Sequence, residues 1–183
     1  MMKRRNIISL WSRRFIADRR GTSAIEFAVL LPLMLIMYFG SIQITDAISA
    51  DRQVTLVAST VAEIASQYSQ VSSTDVSNIL SAASAVLSPF PVANATVTLS
   101  SVTIDNSGNA TVAWSSSLNG TQRSGTVTNL IPQGLLVPNT SVIWGEATYN
   151  YKPVIGWVIT GTLQMYDQIF LRPRQSTSVT YTS

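Results

Sequence analysis

The 183-residue chain contains neither cysteine nor histidine. Disulfide scaffolds, zinc sites and catalysis by a cysteine or histidine nucleophile–base pair are therefore excluded. Charge is also scarce, because Asp, Glu, Lys and Arg make up 11% of the residues, less than half of the ~25% usual in soluble proteins. The length suits one modest domain with an appendage, and the composition is too apolar for a wholly solvated surface.

The few charges are unevenly distributed along the chain. Residues 1–20 hold seven Lys or Arg and one Asp (net +6), whereas residues 21–183 hold five Lys or Arg and eight Asp or Glu (net −3). The overall net charge of +3 therefore describes a basic leader on a mildly acidic body. A basic surface spread over a folded face, as nucleic-acid binding requires, is not indicated, and we expect no nucleic acid among the partners.

An uncharged segment of nineteen residues, Phe27 to Thr45, follows the leader. As a helix it would be ~28 Å long, close to the ~30 Å hydrocarbon core of a bilayer. We expect a membrane span over about 27–45, with Phe27 and Pro32 packing inside it, since transmembrane helices tolerate proline. The positive charges before the span predict a cytoplasmic N-terminus and a translocated C-terminal part. A buried helix of a soluble core would leave the basic flank unexplained.

The apolar segment begins at Ala24 and Ile25, but Glu26 interrupts it. An ionisable group entering a membrane segment costs up to ~2.5–3.5 kcal/mol at the helix centre, so it indicates a function and a cationic partner. A cut between Gly21 and Thr22 would create an α-amine four residues before Glu26, on the same helix face. Alternatively, Glu26 is only a helix-start residue at the depth of the lipid headgroups.

Residues 19–27, with the sequence RRGTSAIEF, together with the apolar run after them, resemble the processing site of type IV pilin-like proteins. More narrowly, they resemble the TadE-like family of tight-adherence pilus proteins. The resemblance implies that a prepilin peptidase removes the leader after Gly21, that Thr22 becomes the first residue and that Glu26 becomes the fifth. It also implies other pilins or pseudopilins of the same system, and an inner-membrane platform driven by an ATPase, as partners.

A conventional secretory signal is the competing interpretation of the N-terminus. Small residues at Ala47 and Ser49 would place its cleavage site before Ala50. Such a signal would have an unusually long hydrophobic region and would leave Glu26 without a role.

Helical periodicity continues beyond the membrane span as far as Tyr68. We therefore predict one long helix over 22–70 whose outer half needs a cover for its apolar stripe. A second helix is predicted from Thr74 to Leu87, because Ser72 and Asp75 have the spacing of a capping box. Its predicted apolar face consists of Val76, Ile79, Leu80, Ala83 and Leu87.

The chain after Pro91 has the pattern of β-strands. Strands are predicted over Thr96–Ile104, with a bulge at Ser100–Ser101, over Ala110–Trp114 as its hairpin partner, and over Ser141–Tyr151. Weaker candidates are Thr126–Ile131, Asp167–Leu171 and Ser178–Tyr181. Since no long helix separates these strands, the sheet should be antiparallel. We expect the outer half of the long helix to pack across it, with Trp114, Trp144 and Trp157 filling the interface.

Two C-terminal segments extend the resemblance. Tyr149, Tyr151 and Pro153 form a Tyr-x-Tyr-x-Pro strand, and an Arg-Pro-Arg triplet follows. Both resemble the C-terminal signature of TadE-like proteins. The triplet consists of Arg172, Pro173 and Arg174.

No enzymatic chemistry is indicated. Residues Asp105, Ser107 and Asn109 have the spacing of a metal-binding loop. That loop needs further ligands on a doubly wound α/β sheet, for which this chain lacks the length and the strand–helix alternation, so a hairpin turn explains the residues better. Acid–base catalysis by paired carboxylates is the only enzyme class that the composition leaves open. The carboxylates Asp105, Glu146 and Asp167 are scattered along the chain, which does not favour such a pair. We therefore predict a protein that is not an enzyme and binds neither metal nor cofactor.

The sequence thus predicts an α+β fold in which a long N-terminal transmembrane and amphipathic helix packs on a C-terminal antiparallel β-sheet. The expected segments are a leader over 1–21, the helix over 22–70, a short helix and linker over 71–91 and a β-rich periplasmic domain over 92–183. The predicted function is that of a minor pilin or pseudopilin, held in the inner membrane and carried to the cell surface on assembly. The alternative is a permanently anchored periplasmic binding domain that never joins a filament.

Overall fold

The structure, a computed structural model, describes residues 20–153 and 160–182, with side chains from Ser23 onward. Most of the predicted leader and Trp157 therefore lie outside the described residues. Helix α1 runs from Arg20 to Ser66 with Pro32 inside it, and at ~1.5 Å per residue it is ~70 Å long. The predicted α+β architecture is confirmed, because this helix packs on an antiparallel sheet.

Helix α1 changes its environment along its length. Every side chain from Ser23 to Tyr38 is exposed, and burial begins at Gly40. Hydroxyl side chains on the exposed faces of the helix donate hydrogen bonds to carbonyl oxygens three or four residues back, as Ser41 Oγ does to Tyr38 O at 2.8 Å. Thr45, Ser49 and Ser59 do the same. These polar groups are thereby satisfied within the helix itself.

A short helix follows the long one. After strand β1 (Gln70–Ser72), helix α2 runs from Ser73 to Leu87. The predicted capping box is confirmed, because Ser72 Oγ accepts a hydrogen bond from Asp75 N and Asp75 Oδ2 accepts one from Ser72 N. The pKa of Asp75 is lowered by the hydrogen bonds that its carboxylate accepts from the Ser72 hydroxyl and then from the Ser72 amide. The buried residues of α2 are those predicted from the periodicity, namely Val76, Ile79, Leu80, Ala83 and Leu87.

The main sheet has four antiparallel strands in the order β3-β2-β4-β5. A bulge is present, but its extra residue is Ala113 in β3, opposite the step from Ser101 to Val102 in β2. Apolar and polar residues do not alternate regularly along β2, because both faces of this strand are buried. The strands are β2 (Ala95–Ile104), β3 (Ala110–Leu118), β4 (Ser141–Tyr151) and β5 (Leu163–Leu171).

Small residues, rather than tryptophans, form the closest contact between α1 and the sheet. A Cβ added to Gly145 would lie 2.6 Å from Ala58 O and 3.0 Å from Ala62 Cβ. The expectation that Trp144 fills this interface is wrong. Its neighbour Gly145 faces the helix, and alternation along β4 therefore turns Trp144 to the opposite face. Trp114 packs at the margin of the helix-side core and donates from Nε1 to Val179 O at 2.7 Å.

The opposite face of the sheet has its own apolar cluster, in which Trp144 stacks on Phe170. The segment 119–140 covers part of it. The predicted strand over Thr126–Ile131 is wrong, since Thr126 forms only an isolated bridge with Thr111 and Thr128–Leu130 is a 3₁₀ turn. This turn lets both Val127 and Ile131 enter the cluster while Asn129 remains exposed.

The C-terminal segment returns to the end of α1. Strand β6 (Thr180–Thr182) pairs with β1 in parallel, a pairing that the sequence did not predict. Arg174 N donates to Ser66 O at 2.9 Å, and the Arg174 guanidinium forms an ion pair with Glu63. The segment after β5 is thus tied to the end of the long helix.

Strand β4 runs antiparallel to α1. Its middle, at Gly145, lies against Ala58 and Ala62, whereas the phenol at its end, Tyr151, is close enough to Asp46 for the two to interact electrostatically. The C-terminal end of β4 therefore points toward the apolar end of α1.

Candidate functional site in the N-terminal helix

The predicted processing and pairing residues lie in the first turns of α1. Gly21 and Thr22 follow its first residue, Arg20, and the Glu26 side chain is exposed. Within the described part of the chain Glu26 forms no ion pair, so its carboxylate is accessible to a cation supplied from outside these residues. The helical backbone places Glu26 one turn after Thr22, as the sequence predicted.

The segment after Glu26 presents apolar side chains to its surroundings. In the described residues, one helix is long and apolar enough to cross a membrane, and its most apolar window has a mean hydropathy of 2.0 with 6% of it buried. Phe27 is 60% exposed, and Met37 is 68% exposed. A soluble core helix would be buried, so this exposure favours a membrane or a bundle of other helices as the surroundings.

Beyond the span, the face of α1 that points away from the sheet continues the apolar surface. Ile48 and Leu56, about two turns apart, are each about half exposed. The exposed apolar surface of α1 therefore extends past the end of the membrane-length segment.

Residues of the C-terminal signature interact with α1 and with the loop that follows α2. The rings of Tyr149 and Tyr151 both pack edge-on against Phe90, at centroid distances of 5.8 and 6.4 Å. Burial raises the pKa of Tyr151, and the negative charge of Asp46 adds to this effect. Arg174 pairs with Glu63, whereas Arg172 is exposed. The structure thus joins the signature to the outer half of α1 and not to Glu26.

A polar cluster on the open face of the sheet was not predicted. Arg123 donates to the Glu146 carboxylate from Nε at 2.7 Å and from Nη2 at 2.6 Å, and Tyr166 donates to Glu146 Oε1 at 3.0 Å. The guanidinium carbon lies 4.6 Å from the centre of the Trp144 ring. The sequence could have indicated this ion pair, because Glu146 lies inside an apolar strand and Arg123 is the one Lys or Arg in residues 53–151.

Comparison with known proteins gives one match. Residues 21–63 match the sequence profile of the family described as TadE-like protein, from the glycine at the predicted cleavage site to the glutamate that pairs with Arg174. No curated protein and no solved structure matches the chain significantly. The C-terminal signature lies outside the matched segment. Residues 21–63, which include the apolar span and most of the outer half of α1, are thus similar to TadE-like proteins, and this similarity supports a role related to the tight-adherence pilus.

Proposed function

We propose that this protein is a minor pilin or pseudopilin that helps to initiate or assemble a tight-adherence pilus. The observation that carries the proposal is the position of the family match, which starts at Gly21 and covers an exposed apolar helix continuous with the folded domain. The role is structural rather than enzymatic. The partners are the inner membrane, the prepilin peptidase, other pilins or pseudopilins and the ATPase-driven platform.

The first step in the proposed mechanism is proteolysis. Prepilin peptidase cleaves between Gly21 and Thr22 and removes the basic residues that hold the N-terminus in the cytoplasm. The β-rich domain lies in the periplasm, on the other side of the membrane. Cleavage exposes the α-amine of Thr22 one helical turn before Glu26.

The second step is assembly. While the helix is embedded, lipid surrounds the apolar side chains from Phe27 to Thr45. On assembly the helix exchanges lipid for the same segment of neighbouring subunits, a step with little hydrophobic driving force. The register of the subunits must then come from a directional contact. The Glu26 carboxylate supplies it by pairing with the Thr22 α-amine of an adjacent subunit, because an unpaired charge is penalised in a bundle of low dielectric constant.

Intact-mass measurement of the membrane-extracted protein tests the processing step. Loss of residues 1–21 is expected. Loss of residues 1–49 would support the secretory signal, and an uncleaved chain would support the permanently anchored binding domain. Gly21→Ala should cause the full-length chain to accumulate, whereas Ser23→Ala, two residues away, should leave processing unchanged.

Substitution of Glu26 tests the assembly step separately. Glu26→Ala should leave membrane insertion intact but abolish incorporation into sheared pilus fractions. Asp51→Ala is the matched control, because Asp51 is an exposed carboxylate on the same helix outside the apolar run. Normal incorporation of the Glu26→Ala protein would contradict the charge-pairing mechanism.

A further inference from the structure

A cavity of about 510 Å³ opens on the face of the sheet opposite α1. Its floor is made by Thr96 and Thr98 of β2, Thr148 of β4 and Tyr166 of β5, and its wall by the segment 121–124. Small-molecule sites commonly have volumes of about 300–1,000 Å³. Because α1 lies on the other face, this cavity stays accessible when the helix is embedded or packed against other helices.

The cavity wall is held in place by contacts with the sheet. Arg123 N donates to Ser115 Oγ at 3.0 Å, while the guanidinium of the same residue binds Glu146 with two hydrogen bonds. Gly120 packs directly on the Thr96 side chain, where a Cβ would collide with the Thr96 methyl group. The cavity is therefore formed before any ligand arrives, which reduces the entropic cost of binding.

The cavity contains one positive and one negative charge, and these neutralise each other. The Glu146 side chain is 6% exposed and the Arg123 side chain 37% exposed. Burial and the adjacent Glu146 carboxylate raise the pKa of Tyr166 to about 12, so this phenol is uncharged at neutral pH. A charged ligand would be repelled by the member of the ion pair that has the same sign of charge, whereas a neutral polar ligand would not.

The lining offers hydrogen bonds in both directions. Arg123 has five N–H donors, of which two are used on Glu146, and the Thr148 hydroxyl can both donate and accept. The Thr96 hydroxyl already donates to Asn119 O, and the Thr98 hydroxyl is bonded to Ser117 Oγ. The Tyr166 side chain is 50% exposed and adds an aromatic surface at the rim. Alcohol groups match this lining because each can donate and accept, and the C–H faces of a sugar ring match the aromatic surface.

We propose that this cavity is a binding site for a neutral saccharide of one or two rings. The sugar hydroxyls bind the outer N–H groups of Arg123 and the hydroxyl of Thr148, and the sugar ring lies against Tyr166. This site does not depend on cleavage at Gly21 or on pairing of Glu26, so its test is independent of the proposed function.

The test uses the full-length chain in phosphocholine micelles, since glycoside detergents would compete for the site. Maltose, cellobiose and lactose are titrated up to about 50 mM, with glucuronate as the anionic probe and glucosamine as the cationic probe. Chemical shifts of the Arg123 Nε–H and the Trp144 Nε1–H report binding. We expect saturable binding of at least one neutral disaccharide, and weaker binding of both charged probes. Absence of saturable binding by every disaccharide, or tighter binding of a charged probe, would overturn the proposal.

Two variants place the binding in the cavity. Ser124→Trp adds a large side chain to an exposed lining residue and should weaken binding at least about tenfold, whereas Ser107→Trp, in an exposed turn elsewhere, should leave it unchanged. Thr148→Val removes one hydroxyl from the lining without changing its volume and should weaken binding about threefold or more. Undiminished affinity in both cavity variants would place the saccharide elsewhere and refute the assignment.

Discussion

Gly145 in strand β4 faces the carbonyl oxygen of Ala58 in helix α1 so closely that a Cβ on residue 145 would lie 2.6 Å from that oxygen. Real Cβ atoms do not approach a backbone oxygen to this distance, and neither the helix nor the central strand can move alone. The glycine therefore sets how closely the long helix approaches the sheet.

Gly145→Ala should destabilise the domain by about 1–3 kcal/mol, because the added methyl group must push the helix away from the sheet. Gly134→Ala is the matched control, since a Cβ there meets nothing within 4 Å. That control should be neutral or slightly stabilising. Urea denaturation of the full-length protein in micelles measures both effects. Equal stability of the two variants would show that α1 moves freely relative to the sheet.

Arg123→Ala should destabilise the folded domain by about 2 kcal/mol, because it leaves the buried Glu146 carboxylate without its cation. The value is below that of a fully buried pair, since solvent screens the guanidinium. Arg123→Lys keeps the charge but cannot form the bidentate contact with Glu146, and it should recover about half of the lost stability.

A double-mutant cycle with Glu146→Gln isolates the interaction. The two substitutions together should cost less than the sum of the single losses, by about 1 kcal/mol or more, because the buried charge is then absent. Strict additivity would mean that the Arg123–Glu146 contact contributes nothing to stability.

Alkaline unfolding should depend on Tyr166. The folded-state pKa of about 12, raised by burial and by the Glu146 charge, lies above the ordinary value of 10.0. The folded state therefore retains a proton that the unfolded chain has lost, and this contribution to stability is complete below pH 10 and disappears as the pH rises through about 12. Tyr166→Phe should flatten the decline in the urea midpoint between pH 10 and about 12. Tyr181→Phe provides the control on an exposed tyrosine, and an unchanged slope in Tyr166→Phe would contradict the assignment.

Ser72→Ala should destabilise helix α2 by about 1 kcal/mol, because it removes the side chain that caps the Asp75 amide. Ser77→Ala, on the exposed face of the same helix, should change stability by less than about 0.5 kcal/mol. Amide hydrogen exchange in the first turn of α2 reads out the loss directly. Equal exchange rates in the two variants would exclude the capping role.

The long helix, α2 and the β2–β3 hairpin were predictable because each is specified locally. The apolar period, the Ser72–Asp75 spacing and the turn at Asp105 all act within a few residues. Hydrogen bonds lower the pKa of Asp105, and the largest contribution comes from the side chain of Asn109 in the same turn, followed by its backbone amide. A hairpin turn, as predicted, therefore accounts for these residues.

Other features depend on contacts between distant segments and were not predictable from local patterns. The orientation of Trp144 follows from Gly145 facing the helix, and a glycine carries no apolar signal. Strand β6 is defined by its pairing with β1, more than a hundred residues earlier. The Arg123–Glu146 pair could have been found, because the strand contains a carboxylate and the sequence between residues 53 and 151 supplies one cation for it.

Helix α1 supplies both the apolar span and one side of the domain core, without a linker between them. A flexible linker would let the domain reorient relative to its anchor. Here a force applied to the first turn of α1 is transmitted along one continuous helix to the folded domain. An axial displacement of α1 therefore moves the folded domain by the same distance. In the assembly that we propose, extraction of the helix from the bilayer and delivery of the domain are thus a single mechanical event.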